Sequence, residues 1–250
     1  MRPVIRGAVP LNADGSPKKV SDYKDWRMDL LDRMGPFCSY CNMVLHDSPQ
    51  VEHVIAQDIN PAVKLEWDNM LLACGPCNRS KSNHPCPPDT HCLPDIHNGH
   101  LAFRYIVLDH PKKAGLKACI PIPNTALPQN LQEKAKRTID LCKLDALTYN
   151  PRATDLRWKY RWETLSIAQV WRQSWDSTFS LQPETLQSQY LNLLTTAALA
   201  KGFFSIWLAA FEGAPFVLQT LINVFPNTDN NSFDAQNGWL PKARAGLNDL

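Results

Sequence analysis

The chain has 250 residues, of which 44% are hydrophobic, 20% charged and 9% aromatic. This composition excludes a wholly disordered chain, and the length is sufficient to bury a sizeable core. The 26 basic and 24 acidic residues give a net charge of +2, which excludes a strongly basic tail but not local basic patches.

The predicted secondary structure changes in character along the chain. An amphipathic pattern indicates a helix that ends near Met34. Residues 85–128 contain eight prolines, which exclude a long helix there, and residues 101–108 predict one short strand. After residue 129 the spacing of apolar residues predicts helices over residues 131–147, 153–175, 183–211 and 216–225.

Two features predict a cytoplasmic protein without membrane contact. The chain begins without the apolar segment of a secretory signal. Residues 191–211 are long enough to cross a bilayer, but Lys201 and Gly202 at their middle favour a buried helix. In such a chain, eight cysteines indicate metal binding rather than disulfides.

Four of the cysteines form two closely spaced pairs, Cys38-Ser-Tyr-Cys41 and Cys74-Gly-Pro-Cys77. Two intervening residues let both thiolates of a pair meet one ion, and two pairs complete a tetrahedral shell around zinc. Such a site is closed to water and therefore structural. The alternative, a redox-active or coincidental pair, is less favoured because no thioredoxin-like unit surrounds either pair.

The segment between the pairs carries the most informative polar residues. Glu52 and His53 lie in the strand-like run VEHVIA, and Asn78 follows directly after the second pair. A neutral imidazole can take a proton from water near neutral pH, whereas the side-chain oxygens of Glu52 and Asn78 suit Mg²⁺ or Mn²⁺. Neighbouring residues of a strand point to opposite faces, so Glu52 and His53 can serve one site only where the strand ends or twists.

The whole pattern resembles the HNH, or ββα-metal, endonucleases over residues 38–81. The residues that carry the resemblance are Cys38, Cys41, Glu52, His53, Asn69, Cys74, Cys77, Asn78 and Lys81. The resemblance implies an α+β fold with a small zinc-stapled ββα core and hydrolysis of double-stranded DNA. Glu52 is a departure, because Asp is at least as familiar at that position.

The resemblance also implies roles for individual residues. It makes His53 the catalytic base, and it makes Asn69 the residue that orients the imidazole through its amide or its backbone carbonyl. Asn78 would bind the catalytic ion near the start of a helix, and Arg79 and Lys81 would contact phosphates. Simpler interpretations stay open: a core histidine for His53, a turn residue for Asn69, a helix cap for Asn78 and a solvated lysine for Lys81.

We expect three parts: an HNH domain with an N-terminal helix over residues 1–84, a proline-rich connection over 85–130, and a mostly α-helical domain over 131–250. Residues 135–144 also resemble a segment of the PtuB-type nuclease subunits of the bacterial Septu anti-phage system. Those nucleases work with an SMC/ABC-type ATPase. The chain has no P-loop motif, so that ATPase would be a separate subunit.

Two other functions fit the same residues less fully. A non-catalytic zinc module that binds nucleic acid or a protein partner would need only the four cysteines and a basic surface. An HNH nuclease that cleaves RNA would need the same catalytic residues. The sequence leaves this alternative open, because residues that contact bases cannot be identified from it.

Overall fold

Short strands and longer helices alternate in the computed structural model, which describes residues 1–150, 155–244 and 250. The helices are α1 Arg27–Met34, α2 Gly75–Lys81, α3 Gly99–Ala102, α4 Gln129–Cys142, α5 Arg157–Ser177, α6 Glu184–Lys201, α7 Phe204–Ala210 and α8 Pro215–Val224. The strands are β1 Gln50–His53, β2 Met70–Ala73, β3 Phe103–Asp109, β4 Lys117–Pro123, β5 Phe233–Asp234 and β6 Leu240–Pro241.

The first sheet and the helix that follows it form the predicted ββα unit. Strands β1 and β2 pair antiparallel, with Glu52 opposite Leu71 and His53 opposite Met70. All four residues of β2 are buried, so this strand anchors the unit in the core. Helix α2 follows β2 almost directly, with Cys74 as its N-cap and Pro76 in its first turn, where a missing N–H costs nothing.

A second antiparallel pair, β3 and β4, fills the proline-rich region. The strand predicted over residues 101–108 is present as β3, whereas β4 was not predicted because Pro121 and Pro123 interrupt it. The two prolines lie opposite Tyr105 and Phe103. Because the two prolines are two residues apart, their backbone nitrogens face the same edge of β4. This is the edge that has no partner strand, so no N–H is needed there.

The prediction of a single helix over residues 183–211 is wrong. The chain instead forms α6 and α7, which are separated at Gly202, whose φ of 69° lies in the left-handed region. The break lets the backbone N–H of Phe203 donate to the carbonyl of Asn42 at 2.7 Å, and Met43 pairs with Gly202 in an isolated bridge. The helical part of the chain therefore docks on the turn that carries the first cysteine pair.

Two large clusters of buried apolar residues form most of the core. One joins α1, β2 and α4 around Trp26 and Trp67, and the other joins α5 to α8 around Trp207. Among the described residues, none of the helices combines the length and the apolar character that crossing a bilayer requires. The predicted boundaries near residues 84 and 130 stay predictions.

Gly202 provides a test of the docking between α6 and the first cysteine turn. A Cβ at this position would lie 2.6 Å from the backbone oxygen of Asn42. We expect Gly202→Ala to lower the free energy of unfolding by about 1–3 kcal/mol more than Gly115→Ala, because of overpacking against the backbone. Gly115 is a matched control, since it also has a positive φ, of 75°, but a Cβ added there would meet no atom within 4 Å. Equal losses in urea denaturation would contradict the close approach.

Candidate active site

The four paired cysteines lie together in the interior. Their sulfur atoms all lie within 4.8 Å of one another, and the sulfurs of Cys41 and Cys74 are 3.7 Å apart. Four sulfurs placed tetrahedrally at about 2.3 Å from one zinc ion would be separated by about 3.8 Å. The four thiols, which we call the thiol cluster, therefore have the donor chemistry and the spacing of a structural zinc site.

Local backbone geometry brings the first pair to the second. Asn42 adopts a left-handed conformation with φ of 60°, and its side-chain amide donates to the carbonyl of Cys38 at 3.1 Å. The backbone N–H of Ser39 donates to the carbonyl of Leu72 in β2 at 2.8 Å. The first pair is thus fixed to the strand that leads directly into the second pair.

Other cysteines and histidines are part of the core rather than of the thiol cluster. Burial raises the pKa of the Cys86, Cys92 and Cys119 thiols to about 11, so these groups stay protonated. Burial also lowers the pKa of His97 to about 4 and that of His100 to about 3, which keeps both rings neutral.

A shallow depression of about 310 Å³ lies at the end of β1, beside α2. It is lined by Tyr23, Val51, Glu52, His53, Ala56, Gln57, Asp58, Asn78, Ser82 and Asn83. Glu52 and His53 reach the same depression because β1 ends at His53, which is the geometric condition that the sequence set for one shared site. Asn78 comes from the first turn of α2.

The imidazole of His53 is held from two sides by residues that lie far from it in the sequence. Its Nε2 lies 3.0 Å from the backbone oxygen of Lys64, and the Tyr23 ring packs against it at a centroid distance of 4.5 Å. A carbonyl oxygen only accepts, so Nε2 carries the hydrogen and Nδ1 keeps the lone pair that can take a proton. Sequence reasoning missed both contacts, because Lys64 acts through its backbone and Tyr23 precedes the motif.

Asn69 does not hold the imidazole directly, which corrects the expectation from the sequence. Its side-chain oxygen accepts from the N–H of Ile55 at 2.7 Å, and its side-chain nitrogen donates to the carbonyls of Ile55 and Val63 at 2.9 and 3.1 Å. Its own carbonyl accepts from the N–H of Val54. Asn69 therefore closes the loop after β1 and positions Lys64, whose carbonyl contacts His53.

Lys81 is not placed to contact a phosphate, which corrects a second expectation. Its side chain is 0% exposed, and its ammonium lies 2.9 Å from a carboxylate oxygen of Glu52 and donates to the carbonyl of His53 at 2.6 Å. Nor is Lys81 a solvated lysine. Burial raises the pKa of Glu52, and the ammonium of Lys81 opposes that rise. One buried cation therefore fixes both residues at the end of β1.

Asn78 and Arg79 lie where the sequence predicted them, on α2. The side-chain nitrogen of Asn78 donates to the side-chain oxygen of Gln50 at 2.8 Å. This bond uses the amide nitrogen of Asn78. The amide oxygen, which is the atom that can bind a cation, takes no part in the bond. Arg79 is exposed on the same helix, and its contact with phosphate stays a prediction.

Comparison with known proteins supports the family that the sequence resembles. The model of the HNH endonuclease family matches residues 38–84, a segment that begins at the first cysteine of the thiol cluster and ends just after α2. No match was found among the curated proteins or among the solved structures. The family match supports an HNH domain over the segment that contains the thiol cluster and every lining residue of the depression except Tyr23.

The loop closure by Asn69 predicts a measurable change in backbone protection. Asn69→Ala removes three hydrogen bonds of the loop, so we expect the free energy of unfolding to fall by about 1–3 kcal/mol. Hydrogen exchange of the Ile55 amide should become faster, whereas Asn83→Ala, an exposed residue of the same depression, should leave it unchanged. Unaltered exchange at Ile55 in Asn69→Ala would contradict this role.

The pair of Glu52 and Lys81 predicts a large effect on stability. Lys81→Met leaves a buried carboxylate without its partner, so we expect a loss of about 3–5 kcal/mol in urea denaturation. Adding Glu52→Gln should recover most of that loss. The control is Lys136→Met, because Lys136 forms only an exposed pair with Asp140.

The opposite result would support the prediction from the sequence that Lys81 contacts a phosphate. In that case Lys81→Met would leave stability unchanged and would weaken DNA binding, with the salt dependence reduced by about one counterion.

Proposed function

We propose that the protein is a metal-dependent HNH endonuclease that hydrolyses phosphodiester bonds of double-stranded DNA. The observation that carries the proposal is the convergence of His53, Glu52 and Asn78 on one depression, in the same ββα unit as the second cysteine pair of the thiol cluster. The family match over residues 38–84 supports the same assignment. A module that only binds has no use for a histidine with a fixed tautomer beside two oxygen ligands.

The side chains have separate tasks in this reaction. His53 accepts a proton at Nδ1 from the attacking water, while its Nε2–H stays on the carbonyl of Lys64. Tyr23 restricts the rotation of the ring. The hydrolysis leaves a 5′-phosphate and a 3′-hydroxyl, as in the family that the sequence resembles.

Two kinds of ion fit the donor atoms. The thiol cluster, Cys38, Cys41, Cys74 and Cys77, would hold a structural Zn²⁺. The carboxylate oxygen of Glu52 that does not pair with Lys81 and the amide oxygen of Asn78 would hold Mg²⁺ or Mn²⁺, whose hard character suits oxygen ligands. When bound, this second ion stabilises the charge that develops on the phosphate and the leaving oxygen.

We also propose that the enzyme acts in the cytoplasm in defence against phage, together with a separate SMC/ABC-type ATPase. The support is the resemblance of residues 135–144. In α4 the apolar residues of this segment, Ala135, Ile139 and Cys142, are buried in the core. A partner would therefore meet the exposed side of α4, where Lys136 and Arg137 pair with Asp140 and Glu133, rather than the apolar positions.

Cleavage of supercoiled plasmid with Mg²⁺ or Mn²⁺ tests the proposed function. We expect His53→Ala to lower the rate by at least about 100-fold, because it removes the base. His91→Ala is the matched control, since His91 is a half-buried histidine outside the depression, and its rate should equal that of the wild type.

Three other outcomes would decide against parts of the proposal. Equal cleavage by the wild type and His53→Ala would remove His53 from the role of base. Cleavage of RNA but not of DNA would identify the RNA-cleaving alternative. Metal-independent DNA binding that survives His53→Ala, without cleavage of either substrate in the presence of the ATPase, would identify a non-catalytic zinc module.

A further inference from the structure

A buried arginine from outside the matched segment contacts the thiol cluster. Arg157 is the first residue of α5, and its side chain is 2% exposed. Its Nη1 donates to the sulfur of Cys77 at 3.0 Å. At this distance the N–H group contacts the sulfur directly, and no water separates the two atoms.

The other nitrogens of Arg157 are fully engaged, so the guanidinium has one orientation. Its Nη2 donates to the carbonyls of Cys142 and Lys143 at 3.1 and 2.9 Å. Its Nε and Nη2 hold the two carboxylate oxygens of Asp155 at 2.8 and 2.7 Å. These contacts aim the remaining nitrogen, Nη1, at the cluster.

Electrostatics gives this contact a consequence for metal binding. Four thiolates around one divalent cation carry a net charge of about −2, which is costly to bury unless cations and N–H donors surround it. A charge-assisted hydrogen bond from a guanidinium lowers that cost, and it orients the thiolate as partners around metal ligands generally do. Asp155 pairs with Nε and Nη2 of Arg157 and leaves Nη1 to donate to Cys77.

We propose that Arg157 is a positioning residue of the zinc site, which retains the ion by donating to the thiolate of Cys77. This inference rests on the proposed zinc assignment of the thiol cluster. Its consequence is that retention of the ion depends on α5, a helix that lies outside residues 38–84. Displacement of α5 would then weaken zinc retention in the segment that carries the catalytic residues.

Arg161→Met provides a close control for Arg157→Met. Arg161 lies one turn later on α5, is 1% exposed, and donates to the carbonyl of Cys119 at 3.3 Å rather than to a thiol of the cluster. Both substitutions remove one buried cation from the same helix. Arg157→Met also leaves Asp155 without its partner, so a difference between the two variants reports on the contacts of Arg157 rather than on a general loss of charge, and the spectroscopic signature below assigns it to Cys77.

The experiment measures zinc release from the full-length protein into an excess of a chromogenic chelator. We expect Arg157→Met to release zinc about 10–100-fold faster than the wild type, and Arg161→Met to release it at nearly the wild-type rate. After replacement of zinc by Co²⁺, the sulfur-to-cobalt charge-transfer band should shift in Arg157→Met and not in Arg161→Met. A merely structural role of Arg157 would not move that band.

The outcomes separate the inference from the proposed function. If Arg157→Met released zinc at the wild-type rate and its charge-transfer band were unchanged, the inference would be overturned and the zinc assignment would stand. Equally accelerated zinc release in Arg157→Met and Arg161→Met would have the same meaning. A wild-type protein without zinc would overturn both. Asp155→Asn keeps the guanidinium but weakens the contact that orients it, so we expect a smaller acceleration of zinc release. If Arg157→Met does not fold, an unchanged release rate in Asp155→Asn would overturn the inference.

Discussion

The arrangement of the site depends on the convergence of four thiols from two distant turns. Cys38 and Cys41 follow α1, whereas Cys74 and Cys77 flank the start of α2. An ion shared by these sulfurs would fix the end of β2 and the start of α2 relative to the first turn. The register of β1 against β2 then places Glu52 and His53 beside Asn78.

Much of the support for the site comes from parts of the chain outside the unit. Tyr23 precedes the first cysteine, yet its ring packs on the imidazole. Gly202 and Phe203 dock the helices on the first turn, and Arg157 reaches the sulfur of Cys77. The helices after residue 129 therefore do more than enlarge the core. They hold the two cysteine turns in one geometry.

The sequence predicted those features that rest on residue type and spacing. The two cysteine pairs predicted a cluster of four thiols, and the acid-His run predicted a shared site at a strand end. The sequence could not show which groups pair in the interior. A lysine shortly after Asn78 suggests a phosphate contact, and only the fold reveals that Lys81 turns inward to Glu52. The contact of Lys64 with His53 is equally invisible, because every residue has a backbone carbonyl.

The most direct test of this account separates the two kinds of ion within one crystal. Anomalous diffraction would be recorded at the zinc and manganese absorption edges from crystals of the wild-type protein grown with Mn²⁺. We expect a zinc signal at the centre of the four sulfurs and a separate manganese signal between the side chains of Glu52 and Asn78. A thiol cluster without zinc, or manganese bound away from those two side chains, would contradict this expectation.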